Sequence, residues 1–259
     1  MQSHIPDFLT NLILIADTSL LIGVIIAFLW VVRRLAKQDS SARMMAFIAP
    51  LFVLLWFGVA LFLGYQNFFK ATFDGPLPPY ILYGIMGPLF LFAPVVFWSN
   101  AFGRILDQFA QEILVGYQSY RMLGILFFVA YGASLLPAIF TYPAGIGDIL
   151  TGLFALLTAL VYWRHKLAAA GLVRIWNYFG IADLMLAVSL GFLSSPGIFL
   201  ILSTDAPNEM ITAYPLVLVP VFAVPMSILL HFASLRKLRR DLSKEKERGE
   251  EHDQRFRDF

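Results

Sequence analysis

Three aspartates lie inside long apolar segments of this 259-residue chain: Asp17, Asp148 and Asp183. A charge at the centre of a bilayer costs about 2.5–3.5 kcal/mol on insertion scales, so such residues are functional candidates by default. A carboxyl group in apolar surroundings favours its neutral form and can therefore exchange a proton or bind a polar ligand. Asp183 lies nine residues after Arg174, which is about 13–14 Å along a helix and near the middle of a membrane. Asp17 lies at a comparable depth in the first apolar segment.

Small residues share a helix face with two of these acids, at steps of three and four residues: Gly180, Ala187 and Gly191 with Asp183, and Gly152, Ala155 and Ala159 with Asp148. Small side chains let helices approach closely, so both acids are expected to face protein. Asn177 extends the polar track below Asp183 toward Arg174. The alternative for Asp183 is a hydrogen bond that only fixes helix packing. For Asp148, near the outer surface, we expect a helix N-terminal cap.

The composition indicates an integral membrane protein. Hydrophobic residues make up 59% of the chain, charged residues make up 14%, and the mean hydropathy is +0.75. Soluble domains are about 45–50% apolar and about 25% charged. The chain has no cysteine, which excludes disulfides, thiolate catalysis and Cys-ligated metals. The first apolar run follows no basic residue and is long for a signal peptide, so we expect it to be retained.

Seven segments have the length that a membrane-spanning helix needs, about 20 apolar residues. They cover residues 8–32, 44–64, 80–101, 120–140, 145–163, 172–193 and 213–235. The helix breakers at 141–145 are expected to separate the fourth span from the fifth. The sequence therefore predicts an all-α membrane protein, with a seven-helix transmembrane domain over residues 1–235 and a charged cytoplasmic tail over 236–259.

The distribution of charge predicts the orientation. Eighteen of the nineteen Lys and Arg residues fall on one side of the predicted spans, counting Arg121 at the start of the fourth, and only Lys70 falls on the other. Basic loops face the cytoplasm. We therefore expect the N-terminus outside, the C-terminus in the cytoplasm, and a location in the cell membrane.

Two connecting regions are amphipathic or highly charged. Segment 102–113 repeats apolar residues at helical spacing, which is typical of an interfacial helix or of an extension of the third span. The tail mixes nine basic with seven acidic residues, which is typical of a solvated helix or a disordered end. Docking of the tail through its charges is the alternative, and residues 236–240 would suit anionic lipid headgroups.

The last span is interrupted by Pro215, Pro220 and Pro225, and such irregular backbone is tolerated where it packs on protein or lines a wet cavity. His231 lies near its cytoplasmic end, on the same side as His165. The topology leaves a two-histidine haem or metal site open, but a histidine near the end of a span is more typical of an interfacial polar residue. No span contains the lysine that a retinal Schiff base requires. We therefore expect no metal and no cofactor.

Two short segments resemble motifs of a known enzyme family. Residues 147–150 (GDIL) and 182–187 (ADLMLA) resemble the Gly-Asp and Ser-Asp motifs of the lysoplasmalogenase-like multi-pass membrane enzymes, with Ala182 in place of the serine. The resemblance implies an intramembrane pair, Asp148 and Asp183, that hydrolyses an ether-lipid headgroup linkage. Separately, PAGIGD and the run over 215–235 resemble patterns in uncharacterised bacterial multi-pass membrane proteins, which implies a class but no activity.

Three functions remain open. The leading hypothesis is small-molecule binding or proton-coupled transport through a polar pocket on Asp183, Asn177 and Asp17. The second is a non-catalytic assembly or regulatory subunit, in which the acids only lock helices together. The third is an intramembrane lipid hydrolase that uses Asp148 and Asp183 as an acid/base pair. The expected partners are the lipid bilayer, a small-molecule or lipid ligand, and an oligomer or partner subunit, with no nucleic acid.

Overall fold

The computed structural model describes residues 5–35, 39–75, 79–166, 168–197, 200–202 and 208–257, with the side chains of 251–257 excepted. Within these ranges all regular structure is helical. The α-helices are α1 (Asp7–Arg34), α2 (Ser40–Tyr65), α3 (Tyr80–Trp98), α4 (Asn100–Leu106), α5 (Gln111–Tyr117), α6 (Ile125–Gly132), α7 (Ala138–Arg164), α8 (Ala170–Ser194) and α9 (Val224–Arg257). A 3-10 segment, Gln118–Gly124, joins α5 to α6, and a π-helical segment, Val219–Ala223, precedes α9.

Seven stretches of the described chain are long and apolar enough to cross a membrane. The fourth, Gln111–Gly132, consists of α5, the 3-10 segment and α6, and the seventh, Val219–Glu250, starts with the π-helical segment. The prediction of an all-α chain with seven such helices is confirmed.

The structure places the break between the fourth and fifth helices earlier than the sequence indicated. It lies between Gly132 and Ala138, whereas the helix breakers at 141–145 lie inside α7. Pro137 precedes the first residue of α7, where its missing N–H costs nothing and its fixed φ suits the helix start. Pro143 is accommodated inside α7, at the cost of one backbone hydrogen bond.

The two ends of the bundle differ in charge. One end, which we call the basic end, carries the C-termini of α1, α3 and α7, and an ion pair joins Arg104 Nε to Asp39 Oδ2 there at 2.6 Å. Asp39 also caps α2 by accepting a hydrogen bond from the Ala42 amide at 3.2 Å. The opposite end, which we call the loop end, carries the pair between Lys70 and Glu209 at 2.9 Å.

Segment 102–113 is not one amphipathic helix. Helix α4 ends at Leu106, a turn follows, and α5 begins at Gln111. Asp107 in this turn accepts from Arg240 at 2.6 Å and from Lys244 at 3.0 Å. Because these two residues belong to the tail, the first turns of the tail helix contact this turn through charge, whereas residues 243–250 are exposed.

The environment of Asp107 favours its ionised form. Burial raises the pKa of the Asp107 carboxyl, but hydrogen bonds and charges from Arg240 and Lys244 outweigh that effect and hold the pKa below its ordinary value of 3.8.

Helix α9 packs against α3, α4, α5 and α8. With 34 residues it is about 51 Å long, well beyond the roughly 30 Å of a bilayer core. Pro225, the second residue of α9, has no N–H to donate to Val221 O, four residues earlier. The Trp56 indole N–H donates to that carbonyl at 3.1 Å, so the proline break is compensated from α2.

Candidate functional site

Three charged side chains meet near mid-height of the bundle: Arg121, Asp148 and Asp183. Arg121 Nε donates to Asp148 Oδ1 at 2.7 Å, and Nη2 lies 2.6 Å from the same oxygen. Nη2 also donates to Asp183 Oδ2. The Arg121 side chain is only 2% exposed, so these ion pairs form in the protein interior. We call this group the arginine cluster.

The 3-10 segment positions Arg121. It packs against α7, and a Cβ built on Gly152 would lie 2.6 Å from the Met122 backbone nitrogen. Only glycine at 152 lets the two backbones approach this closely, because real Cβ atoms keep a greater distance. Runs of 3-10 helix longer than three or four residues are uncommon and often mark a strained or functional point. This one extends over seven residues with Arg121 at its centre.

Two further glycines make room for the cluster where α7 and α8 meet. A Cβ on Gly147 would lie 1.6 Å from Asp183 Oδ1, and one on Gly180 would lie 2.3 Å from His231 Nε2. The carbonyl of Gly180 accepts a hydrogen bond from Arg121 Nη1 at 3.3 Å. The small residues that the sequence places beside the acids therefore allow close helix contact, and they also leave space for the polar side chains.

His231 continues the network from Arg121 and is neutral in this arrangement. The Asn177 amide nitrogen donates to Val173 O at 2.8 Å and to Ser234 Oγ at 3.0 Å, so its Oδ1 is the acceptor for His231 Nδ1 at 3.0 Å. With a proton on Nδ1, Nε2 carries the lone pair that accepts from Arg121 Nη1 at 3.3 Å. The tautomer follows from this hydrogen-bond pattern.

The polar chain reaches the basic end of the bundle through a second amide. Gln111, the first residue of α5, donates to Ser234 Oγ at 2.7 Å and to Ser234 O at 3.1 Å. Both side chains are buried. Hydrogen bonds thus connect the middle of the bundle with the start of the fourth helical stretch.

The cluster holds two carboxylates for one guanidinium. Both Arg121 bonds to Asp148 end on Oδ1, and the bond to Asp183 ends on Oδ2. Asp148 Oδ2 and Asp183 Oδ1 are not used in these bonds. With both acids ionised the cluster carries a net charge of −1, and one bound proton makes it neutral.

A cavity of about 90 Å³ runs from the loop end down to this cluster, and we call it the long cavity. Most of its wall is apolar. Residues at its two extremes are Lys70, Thr72 and Tyr80 at the loop end and Asp148, Leu184 and Val224 at its base. The carboxylate of Asp148 therefore lies where a molecule entering from the loop end would stop.

Two other spaces adjoin the cluster. A cavity of about 70 Å³, which we call the Asp17 cavity, is lined by Asp17, Tyr120, Arg121, Asp148 and Ser227 among others. A lateral groove between α7 and α8 reaches Asp183, and its walls are largely exposed apolar side chains, Tyr142, Ile146, Phe179 and Leu186. Among the described residues, Asp148 lines the first two spaces and Asp183 lines the groove.

The structure assigns several predicted residues a different place. Asp148 is not a helix cap, since α7 begins ten residues earlier, after Pro137. His231 is fully buried rather than interfacial, and its partners are Arg121 and Asn177. Of the four candidate site residues, Asp183, Asp148 and Asn177 belong to one network, whereas Asp17 lies across the adjoining cavity.

Arg121 is a site residue that the sequence did not predict. With the fourth span predicted to start at residue 120, Arg121 lies at the very end of the span and is counted with the basic residues of the cytoplasmic side. In the structure this helical stretch begins at Gln111, so Arg121 lies ten residues inside it. A span of about 20 residues measured backward from the break at Pro137 places this arginine about one helical turn inside the span, which marks it as an intramembrane charge.

Comparisons with known proteins identify a family without an assigned activity. No curated protein and no solved structure matches the chain significantly. The family model described as a domain of unknown function, DUF8737, matches residues 78–239, more than half of the chain. The matched region contains the whole arginine cluster and His231, and Asp17 precedes it. The chain belongs to the DUF8737 family.

Proposed function

We propose that this protein is a membrane-embedded binding or transport protein for a small molecule that enters the long cavity and meets Asp148 at its base. The observation that carries this proposal is the single charged group at the bottom of an apolar cavity, where it is held by Arg121. Ligand sites combine an apolar wall with a few convergent polar groups in this way. The free oxygen of Asp148 favours a ligand with a hydrogen-bond donor or a cationic group.

The cluster also supports proton coupling. Because two carboxylates share one guanidinium, Arg121 remains paired with one acid when the other binds a proton. Protonation of Asp148 would weaken its pairing with Arg121 and change the charge that faces the long cavity. A ligand cation bound to Asp148 would have the same effect on the pairing, so proton and ligand would compete for this carboxylate.

For the arrangement in a membrane we propose the N-terminus outside and the C-terminus in the cytoplasm, in the cell membrane. Because Arg121 lies inside the bundle, it is left out when the basic residues on each side of the spans are counted. Of the remaining 18 Lys and Arg residues, 17 still fall on one side. In this orientation the long cavity starts on the outer side, and the polar chain through His231 leads toward the cytoplasm.

Native mass spectrometry of the detergent-purified protein tests the proposal. The wild type is expected to retain a small-molecule mass that Asp148→Asn releases, because the amide removes the charge at the cavity base with little change in shape. Asp39→Asn is the matched control, since it makes the same substitution in a loop ion pair at the basic end. Equal retention by wild type and Asp148→Asn would contradict the proposal. A protein partner that both retain, with no small molecule, would favour the regulatory subunit instead.

The lipid hydrolase is a second candidate, favoured by one observation. Asp148 and Asp183 bond to the same guanidinium, so their carboxyl groups lie within reach of a common substrate or water. Against it, the long cavity and the Asp17 cavity are lined by Asp148 and the lateral groove by Asp183, and none of these three spaces is lined by both acids. Hydrolysis of a lysoplasmalogen by the purified wild type, and its loss in Asp183→Asn, would support this candidate over a binding protein.

A further inference from the structure

Asp17 differs from Asp148 and Asp183, which pair with Arg121, because it has no cationic partner among the described residues. It lies on α1, ten residues after the first residue of the helix, and is 3% exposed. Its Oδ2 atom makes no hydrogen bond in the described structure. An uncompensated buried carboxylate is strongly unfavourable, so a group that binds this oxygen would relieve a substantial cost.

The cavity that Asp17 faces is also lined by Tyr120 and Ser227, whose hydroxyl oxygens could bind a cation. Ser227 Oγ donates its proton to Ala223 O at 2.7 Å, so in the hydrogen bond between the two hydroxyls Tyr120 must be the donor. Each hydroxyl oxygen consequently keeps a lone pair that is free to accept. Carboxylate and hydroxyl oxygens are hard ligands, which hard cations prefer.

The charge count distinguishes among cations. Arg121 and Asp148 also line this cavity, but they are paired with each other, and Arg121 is further paired with Asp183. When the arginine cluster holds the one proton that makes it neutral, the Asp17 carboxylate is the single uncompensated negative charge of this cavity. In the part of the chain that the structure describes, no group of three His, Asp or Glu side chains could hold a metal ion, which disfavours a divalent or transition metal.

We infer that the Asp17 cavity binds a sodium ion, with Asp17 as the charged ligand and the hydroxyl oxygens of Tyr120 and Ser227 as neutral ligands. The cavity volume of about 70 Å³ is several times the roughly 10–15 Å³ that one water needs, so a sodium ion with one or two waters fits. The Asp17 cavity shares Asp148 with the base of the long cavity, but none of the three proposed sodium ligands lines the long cavity. The sodium inference can be tested without identifying the ligand of the long cavity.

Equilibrium binding of ²²Na⁺ to the purified full-length protein tests the inference directly, with choline as the inert cation. We expect saturable binding that unlabelled Na⁺ displaces and choline does not. Asp17→Asn should weaken binding by more than about tenfold, because even the loss of outer partners of a bound metal typically costs about 10–100-fold. Asp39→Asn is the matched control and should bind as the wild type does.

A second variant separates ligand loss from misfolding. Tyr120→Phe removes one proposed ligand oxygen but keeps the ring, and it should weaken ²²Na⁺ binding while the protein remains monodisperse. Absence of saturable ²²Na⁺ binding to the wild type, at neutral and at alkaline pH, would overturn the inference and leave a proton as the occupant of Asp17. Unchanged binding in Asp17→Asn would overturn it as well. Neither result depends on whether the long cavity binds a small molecule.

Discussion

Two arginine–aspartate groups stabilise this protein at different heights, and their compositions are opposite. In the arginine cluster one cation, Arg121, pairs with two carboxylates, and the Arg121 side chain is 2% exposed. At the basic end one carboxylate, Asp107, serves Arg240 and Lys244, whose side chains are 31% and 46% exposed. Solvent screens the second group and not the first. The same chemical pair should therefore be indispensable in one place and almost dispensable in the other.

The largest effect is expected from Arg121→Met, which leaves two buried carboxylates without a cation. Breaking a buried ion pair by removing one partner costs about 3–5 kcal/mol, and here two pairs lose the same partner. We expect a large fall in the thermal unfolding temperature in detergent at neutral pH.

A matched set of variants tests whether charge causes that fall. Arg121→Met combined with Asp148→Asn and Asp183→Asn removes all three charges and should recover part of the lost stability. If the triple variant is no more stable than Arg121→Met alone, packing rather than uncompensated charge causes the effect, and the comparison with Asp107 fails.

Gly152→Ala is expected to have the next largest effect. Its added Cβ would meet the Met122 backbone nitrogen at 2.6 Å, so the 3-10 segment that carries Arg121 must shift. Overpacking of this kind costs about 1–3 kcal/mol. Gly87→Ala is the control, because a Cβ there meets nothing within 4 Å. Equal unfolding temperatures for the two variants would show that the close approach does not limit stability.

Asp107→Asn should change stability little. Exposed ion pairs contribute about 0.2–1 kcal/mol, and salt at about 1 M screens them. We expect a small fall in unfolding temperature at low ionic strength that disappears in high salt. A fall as large as that of Arg121→Met would mean that docking of the tail, and not burial of the cluster, dominates the stability of the fold.

The pH dependence of the Asp107 contribution is the smallest expected effect. The pKa of Asp107 is lower in the folded state than its ordinary value of 3.8. Its contribution is therefore complete above the unfolded-state pKa and is lost as the pH falls through the folded-state pKa. The stability difference between wild type and Asp107→Asn should be constant near neutral pH and shrink on acidification below about pH 4. A difference that grows on acidification would contradict this assignment.

The sequence was most informative where the signal is local. Runs of about 20 apolar residues predict helices without any knowledge of their neighbours, and the described part of the chain contains seven such helices. It was least informative at helix boundaries. Whether a helix is interrupted at Pro137 or at the helix breakers over 141–145 depends on what packs around them. That error placed Arg121 at the end of a span instead of inside it and gave Asp148 the role of a cap.

Composition and periodicity determined by themselves that the chain is helical, that its helices are apolar enough for a membrane, and which faces of the fifth and sixth are lined by small residues. Only the tertiary structure decided which charges meet. Asp148 and Asp183 are 35 residues apart in the chain and Arg121 lies 27 residues before the first, and no local pattern relates residues at such separations. Their pairing arises because the glycines at 147, 152 and 180 let three helical segments approach within side-chain reach.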